Sequence, residues 1–99
     1  MVLQRPTMNH LDKAFFAVRD REIEKISKKF KESGLNEEEI TKLFDSAKTL
    51  VNYSEHCAEM VRQEKLLESE ALIELKRAYP GFSPETYGLA FNLGFSRTR

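Results

Sequence analysis

The chain has one cysteine, Cys57, and so cannot close a disulfide within itself. A lone thiol fits a reducing compartment, and a cytoplasmic protein is the expectation. Long hydrophobic runs are missing as well. Nothing approaches the roughly 20 apolar residues that a membrane span requires, so no membrane association is expected. The opening Met-Val-Leu-Gln-Arg-Pro-Thr holds no apolar stretch of signal-peptide kind. There is no excess of one charge either: 16 basic residues balance 16 acidic ones. That argues against a protein whose main work is gripping nucleic-acid phosphates. Glycine-rich phosphate loops, CxxC pairs, HExxH and GxSxG are all absent. With one cysteine and 2 histidines the usual zinc ligand set cannot be assembled from one chain. No cofactor and no enzymatic activity are expected.

Glycine and proline are absent between Gly34 and Pro80, and that absence says most about the fold. An apolar seam runs through the stretch at alternating steps of four and three: Leu43, Ala47, Leu50, Ser54, Cys57, Val61, Glu64, Glu68, Ala71, Leu75, Ala78. This spacing marks a coiled-coil-like helix that keeps one side against a partner. Asn36 followed by Glu37, Glu38 and Glu39 is a strong start, with Glu39 placed for a capping box and three carboxylates at the positive end of the dipole. Tyr79-Pro80-Gly81 is the stop. The spacing therefore predicts a helix over 37–78, roughly 63 Å long at 1.5 Å per residue. Asn52-Tyr53-Ser54-Glu55 also fits a cap, so a bend or break near 52–55 is allowed, although the seam crosses it in phase.

The first segment predicts a helix over 8–33, capped by Thr7 or Asn9 and closed by Gly34. Met8, Leu11, Phe15, Val18, Ile26 and Phe30 form its stripe. Ser83-Pro84-Glu85 predicts a short last helix over 84–93, ended by Gly94. The expected architecture is a single all-α domain, residues 1–99: a long antiparallel helical hairpin plus a short C-terminal helix. Residues 1–35 carry eight basic and five acidic groups and residues 36–78 six basic and ten acidic, which favours packing the two side by side.

The first helix reaches back along the second only to about residue 60, leaving seam uncovered. That surplus points to association with a helical partner, most simply as a homodimer in a regulatory or adaptor role. The expected interface is Val61, Glu64, Glu68, Ala71, Leu75, Tyr87 and Phe91. Glu64 and Glu68 sit on the seam one turn apart, where they would meet basic groups of a partner, lie exposed, or hold a cation. The basic side of the first helix, with Lys25, Lys28, Lys29 and Lys31, offers a nucleic-acid-associated regulator as the alternative, weakened by interleaved Glu22, Glu24 and Glu32. Glu55, His56, Cys57 and Glu59 are the densest group of potential ligands, but the spacing reads as a solvated face. The aromatics Tyr79, Phe82, Tyr87, Phe91 and Phe95 complete a small core or form a binding patch.

Overall fold

Asn9 opens the first helix. In the computed structural model, which describes residues 9–98, its side chain accepts the Asp12 N–H at 2.8 Å while the Asp12 carboxylate accepts the Asn9 N–H at 3.3 Å. This capping box starts α1 (His10–Asp20). The roles expected of Thr7 and Met8 lie outside the described residues.

The helix stops where the sequence pattern carried it on. Arg21 adopts a left-handed φ of 59°, and the Glu22 N–H reaches back to the Ala17 carbonyl at 2.8 Å. That six-to-one bond is a Schellman closure made without glycine. α2 (Ile23–Glu32) folds back along α1, setting Phe30 edge-on to His10 with ring centroids 5.4 Å apart. The single helix expected over 8–33 is thus two short ones. The stretch Arg19 to Lys25 holds one apolar side chain, Ile23, so a straight rod gains little burial there. Folding back instead buries Phe30 beside Phe44, with ring centroids 5.8 Å apart.

Gly34, at φ 98°, closes α2 in the same way, with the Leu35 N–H on the Phe30 carbonyl at 3.1 Å. The Asn36–Glu39 capping box forms as expected, with bonds of 2.8 and 3.0 Å. It starts α3 (Glu37–Arg62), the central helix. α3 passes through Asn52–Glu55 unbroken, and the Ser54 hydroxyl donates to the Leu50 carbonyl at 2.7 Å rather than capping a new start. The break comes later. Glu64 takes a left-handed φ of 59°, and the Lys65 N–H bonds the Met60 carbonyl at 2.9 Å. After this third Schellman closure the chain turns into α4 (Glu68–Ala78). The helix expected over 37–78 is therefore divided at 63–67. The longest dimension of the molecule is 45 Å, well short of the roughly 63 Å that an undivided rod would span.

α5 (Pro84–Arg97) runs past its expected end at Leu93. Gly94 is not a terminator; it lies inside the helix where α5 crosses α3. A Cβ there would fall 2.6 Å from the Ser54 carbonyl carbon and 2.7 Å from the Glu55 nitrogen, so the two backbones meet. The small residues Ser54, Cys57 and Ala58 on α3 make room for that approach. One buried cluster takes in Ala14 and Phe15 from α1, Phe30 from α2, Leu50 and Cys57 from α3, Ala71 and Leu75 from α4, and Tyr87 and Phe91 from α5. The fold is all-helical, with no strand among the described residues. The described residues form an arrangement of five helices in place of the expected long hairpin with a short tail. The seam left over in the sequence pattern is covered from within the chain, since the break turns α4 back and α5 lies along α3.

Candidate interaction surfaces

The break at Glu64 separates the residues expected to form one interface. Ala71 and Leu75 are fully buried, and Tyr87 and Phe91 nearly so. All four are core residues of this chain and offer no surface to a partner. Val61 is half-buried against that core. Glu64 sits exposed at the left-handed turn and Glu68 exposed at the first position of α4. Four of the expected interface positions thus lie in the core of this chain, and the two glutamates lie in water. Their place on the seam marks the solvent-facing corner.

What remains apolar and exposed lies around α4. Leu67, just before the helix, is 67% exposed and Ile73, in its middle, 66%. Among the described residues Leu89 is the other exposed large apolar side chain, at 37%. Singly such residues are ordinary. Here the flanking charge adds information. Glu70 lies one turn before Ile73 and Lys76 one turn after it, on the same side of the helix. The Glu70 carboxylate also accepts the Leu67 N–H at 2.9 Å and caps the helix start.

The inner edge of α4 is tied to α3 by a polar contact. The Tyr53 hydroxyl donates to Glu74 at 3.3 Å, and the Arg77 guanidinium grips both oxygens of the same carboxylate at 2.7 and 2.8 Å. The hydrogen bond from Arg77 holds the Glu74 carboxyl below the usual carboxylate range. Burial pushes the neighbouring Tyr53 phenol up, and the Cys57 and Glu74 charges add to it. Cys57 itself is a buried thiol with its pKa pushed up by burial, the environment of an inert core cysteine.

Glu55, His56 and Glu59 line an open polar recess with Arg97 and Thr98, where Arg97 stands 3.9 Å from Glu55. Cys57 points away into the core. His56 stacks on Tyr53 with centroids 5.9 Å apart. Among the described residues no three His, Cys, Asp or Glu side chains gather into a set that could hold a metal ion. No described helix is long and apolar enough to cross a membrane.

The basic residues of the first segment divide on α2. Lys25 pairs with Glu22 and Lys31 with Glu37, each at 3.5 Å. Lys28 and Lys29 are exposed and make no ion pair among the described residues. The tail aromatics resolve toward core: Tyr87 donates its hydroxyl to the Tyr79 carbonyl at 2.7 Å and accepts the Phe82 N–H at 3.3 Å. Sequence reasoning missed the exposed face of α4 as a separate surface because it read residues 37–78 as one helix. No family model, no curated protein and no solved structure matches the chain.

Proposed function

We propose that the protein is a non-enzymatic, helical protein–protein interaction module in a regulatory or adaptor role, and that it pairs with a second copy through the outer face of α4. The observation that carries this reading is the solvent-exposed Ile73 set between Glu70 and Lys76. If two α4 helices lie antiparallel about a twofold axis at Ile73, Glu70 of each copy faces Lys76 of the other, and the two Ile73 side chains meet. A closed twofold contact of this kind is self-complementary. α4 is only about 16 Å long and 10–12 Å wide, so it covers far less than the roughly 800 Å² per partner of a stable interface. The association is therefore weak and reversible, and the fold does not depend on it.

The nucleic-acid reading is the weaker one, because Glu22 and Glu37 already engage Lys25 and Lys31 and divide the basic side of the hairpin. A cytoplasmic location is supported by the lone thiol and nothing else. Sedimentation equilibrium from about 10 μM to about 1 mM tests the pairing. Rising mass with concentration is expected, with Ile73→Glu abolishing it. Lys76→Glu alone sets like charges face to face and weakens pairing, while Lys76→Glu with Glu70→Lys restores it. A monomer at every concentration, or a double variant no better than the single, defeats the proposal.

A further inference from the structure

The turn between α3 and α4 is built from residues that favour helix. Gln63, Glu64, Lys65, Leu66 and Leu67 all rank among the strong helix formers, with no glycine, proline or β-branched residue among them. Glu64 nonetheless holds the left-handed φ of 59°, and Leu67 stands 67% exposed. The apolar seam keeps its phase across this turn. Ala47, Leu50, Ser54 and Cys57 before it and Ala71 and Leu75 after it are all buried, at the four-three step that a straight helix needs to carry them on one side. The break at Arg21 has the same φ but no such continuation, since the stretch Arg19 to Lys25 holds a single apolar side chain. The pairing of α3 with α4 adds an independent observation. α4 runs back along α3, so that Tyr53 reaches Glu74 through its hydroxyl at 3.3 Å and meets Tyr79 edge-on with ring centroids 5.5 Å apart. The sequence midpoints of both pairs fall inside 63–67. With that turn straightened, two copies laid antiparallel about a twofold axis at 63–67 set Tyr53 of each against Glu74 and Tyr79 of the other. The register within one chain is therefore the register that two chains need.

We infer that two copies of this chain exchange α4 and α5, with residues 63–67 as the hinge that straightens into helix. The divided helix is the monomer's form; in the exchanged dimer residues 37–78 of each chain make one helix of roughly 63 Å. Every contact between residues 9–62 and 68–98 is then remade with the other copy: Thr86 on Asp12, Gly94 against Ser54, and Ala71 and Leu75 in the core. Such an exchange changes only the hinge and the number of independent chains. Straightening relieves the left-handed φ of Glu64 in both copies. It also sets Glu64 and Glu68 one turn apart on a helix, close to the axis and to their counterparts, and this like charge favours the monomer. The monomer is thus the major form in dilute solution, and the exchanged dimer forms when the chain folds at high concentration. This contact is distinct from pairing of the outer α4 faces, because Ile73 stays in solvent as it does in the monomer.

The test uses the full chain with Cys57→Ala and nitroxide labels at Asn52→Cys and Ala78→Cys, two exposed positions that flank the Tyr53–Tyr79 contact. The chain is unfolded in urea and refolded at about 10 μM and at about 1 mM. Concentrated refolding is expected to give a dimer, separable by size exclusion, that persists on dilution because its reversal requires unfolding. Refolding with an excess of unlabelled chain leaves one labelled chain per dimer. Double electron–electron resonance should then read an intrachain separation of about 39 Å, the rise of a straight helix from 52 to 78. The monomer should give a much shorter one, since packed helix axes lie about 8–10 Å apart. Glu64→Gly eases the turn and weakens the straight helix in both copies, and should cut the dimer yield at least about tenfold. Ile73→Glu should leave the exchanged dimer intact while it abolishes pairing of the α4 faces, so either reading can fail alone. Monomer only after concentrated refolding, a dimer with the short intrachain distance, an undiminished yield in Glu64→Gly, or loss of the dimer in Ile73→Glu would each overturn the exchange.

Discussion

Thr86 donates its hydroxyl hydrogen to the Asp12 carboxylate at 2.6 Å, joining the start of α5 to the start of α1 across 74 residues of chain. The same Asp12 oxygen accepts the Ser83 N–H at 2.9 Å, and the Ser83 hydroxyl lies 3.1 Å from that of Thr86. Since Thr86 has already given its hydrogen, Ser83 is the donor of that last bond. Asn9 adds a bond from its side-chain amide to the Gly81 carbonyl at 2.8 Å. A carboxylate that is 1% exposed is thus held by neutral donors from both ends of the chain.

The pin at Asp12 carries a stability prediction. Thr86→Val keeps the shape and removes one donor to a buried charge, which costs about 2 kcal/mol. Asp12→Ala leaves several donors without an acceptor, among them the Asn9 N–H of the α1 capping box, for about 3–4 kcal/mol. Because both variants break the same bond, the double variant should cost less than the sum by about 1 kcal/mol or more. Urea unfolding of the four proteins measures this directly. Additive losses would show that the hydrogen bond contributes nothing of its own.

α5 holds two glycines in opposite surroundings, Gly94 at its crossing with α3 and Gly88 in open space. By helix propensity alone, replacing a helical glycine with alanine stabilises by about 1 kcal/mol. A methyl group at Gly88 would meet no other atom within 4 Å, so Gly88→Ala should give that gain. Gly94 faces the α3 backbone at 2.6 Å, and backbone cannot move aside as a side chain can. Gly94→Ala should cost about 2–3 kcal/mol through overpacking. Thermal unfolding of both variants checks the opposite signs, and a stabilising Gly94→Ala would mean that the helices do not cross there.

Burial of three weakly acidic groups gives the pH dependence. It pushes the Cys57 thiol and the Tyr53 and Tyr87 phenols above their ordinary ranges. As pH rises, the unfolded chain gives up these protons first, from about pH 8.5 for a thiol and about 10 for a phenol. Proton loss then favours the unfolded state. Stability from these groups is complete below those values and falls as pH climbs through the folded ones. Urea midpoints should therefore drop above about pH 9, and Cys57→Ala should flatten the lower part of the decline. A midpoint that rises with alkali would contradict a buried thiol at this position.

The legible parts of the fold are those written in local chemistry. Asn36 with Glu39, Gly34, and Pro84 after Ser83 all mark element ends where the structure has them. The seam from Ala47 to Cys57 is buried as its period demands, and Ala71 and Leu75 rejoin it beyond the break. That in-phase return hid the division at 63–67, because the three-four rhythm happens to bridge a turn. Glu64 and Glu68 were the clue, two carboxylates on a side that is otherwise apolar. Gly94 misled for a related reason: glycine ends helices often, and its use for backbone contact is a tertiary fact with no local signature. The exposed α4 face depends on the break at Glu64 and was beyond local reading.

Those breaks make the sharpest prediction, since they rest on two residues held where side chains are disfavoured. Arg21 and Glu64 both sit at φ 59°, a conformation that costs a non-glycine residue about 1–2 kcal/mol and glycine almost nothing. Each closes its helix by the Schellman bond that glycine favours. Glu64→Gly should therefore stabilise the protein by about 1 kcal/mol, and Arg21→Gly by a similar amount. If residues 37–78 formed the continuous helix that the seam suggests, Glu64→Gly would instead cost about 1 kcal/mol as an interior glycine. The same division applies to Arg21 and the helix over 8–33. The two sites are far apart in sequence and share no partner, so the gains should add in the double variant. Differential scanning calorimetry of the three variants reads the sign, and a lowered Tm for either single variant would restore the undivided helix at that place.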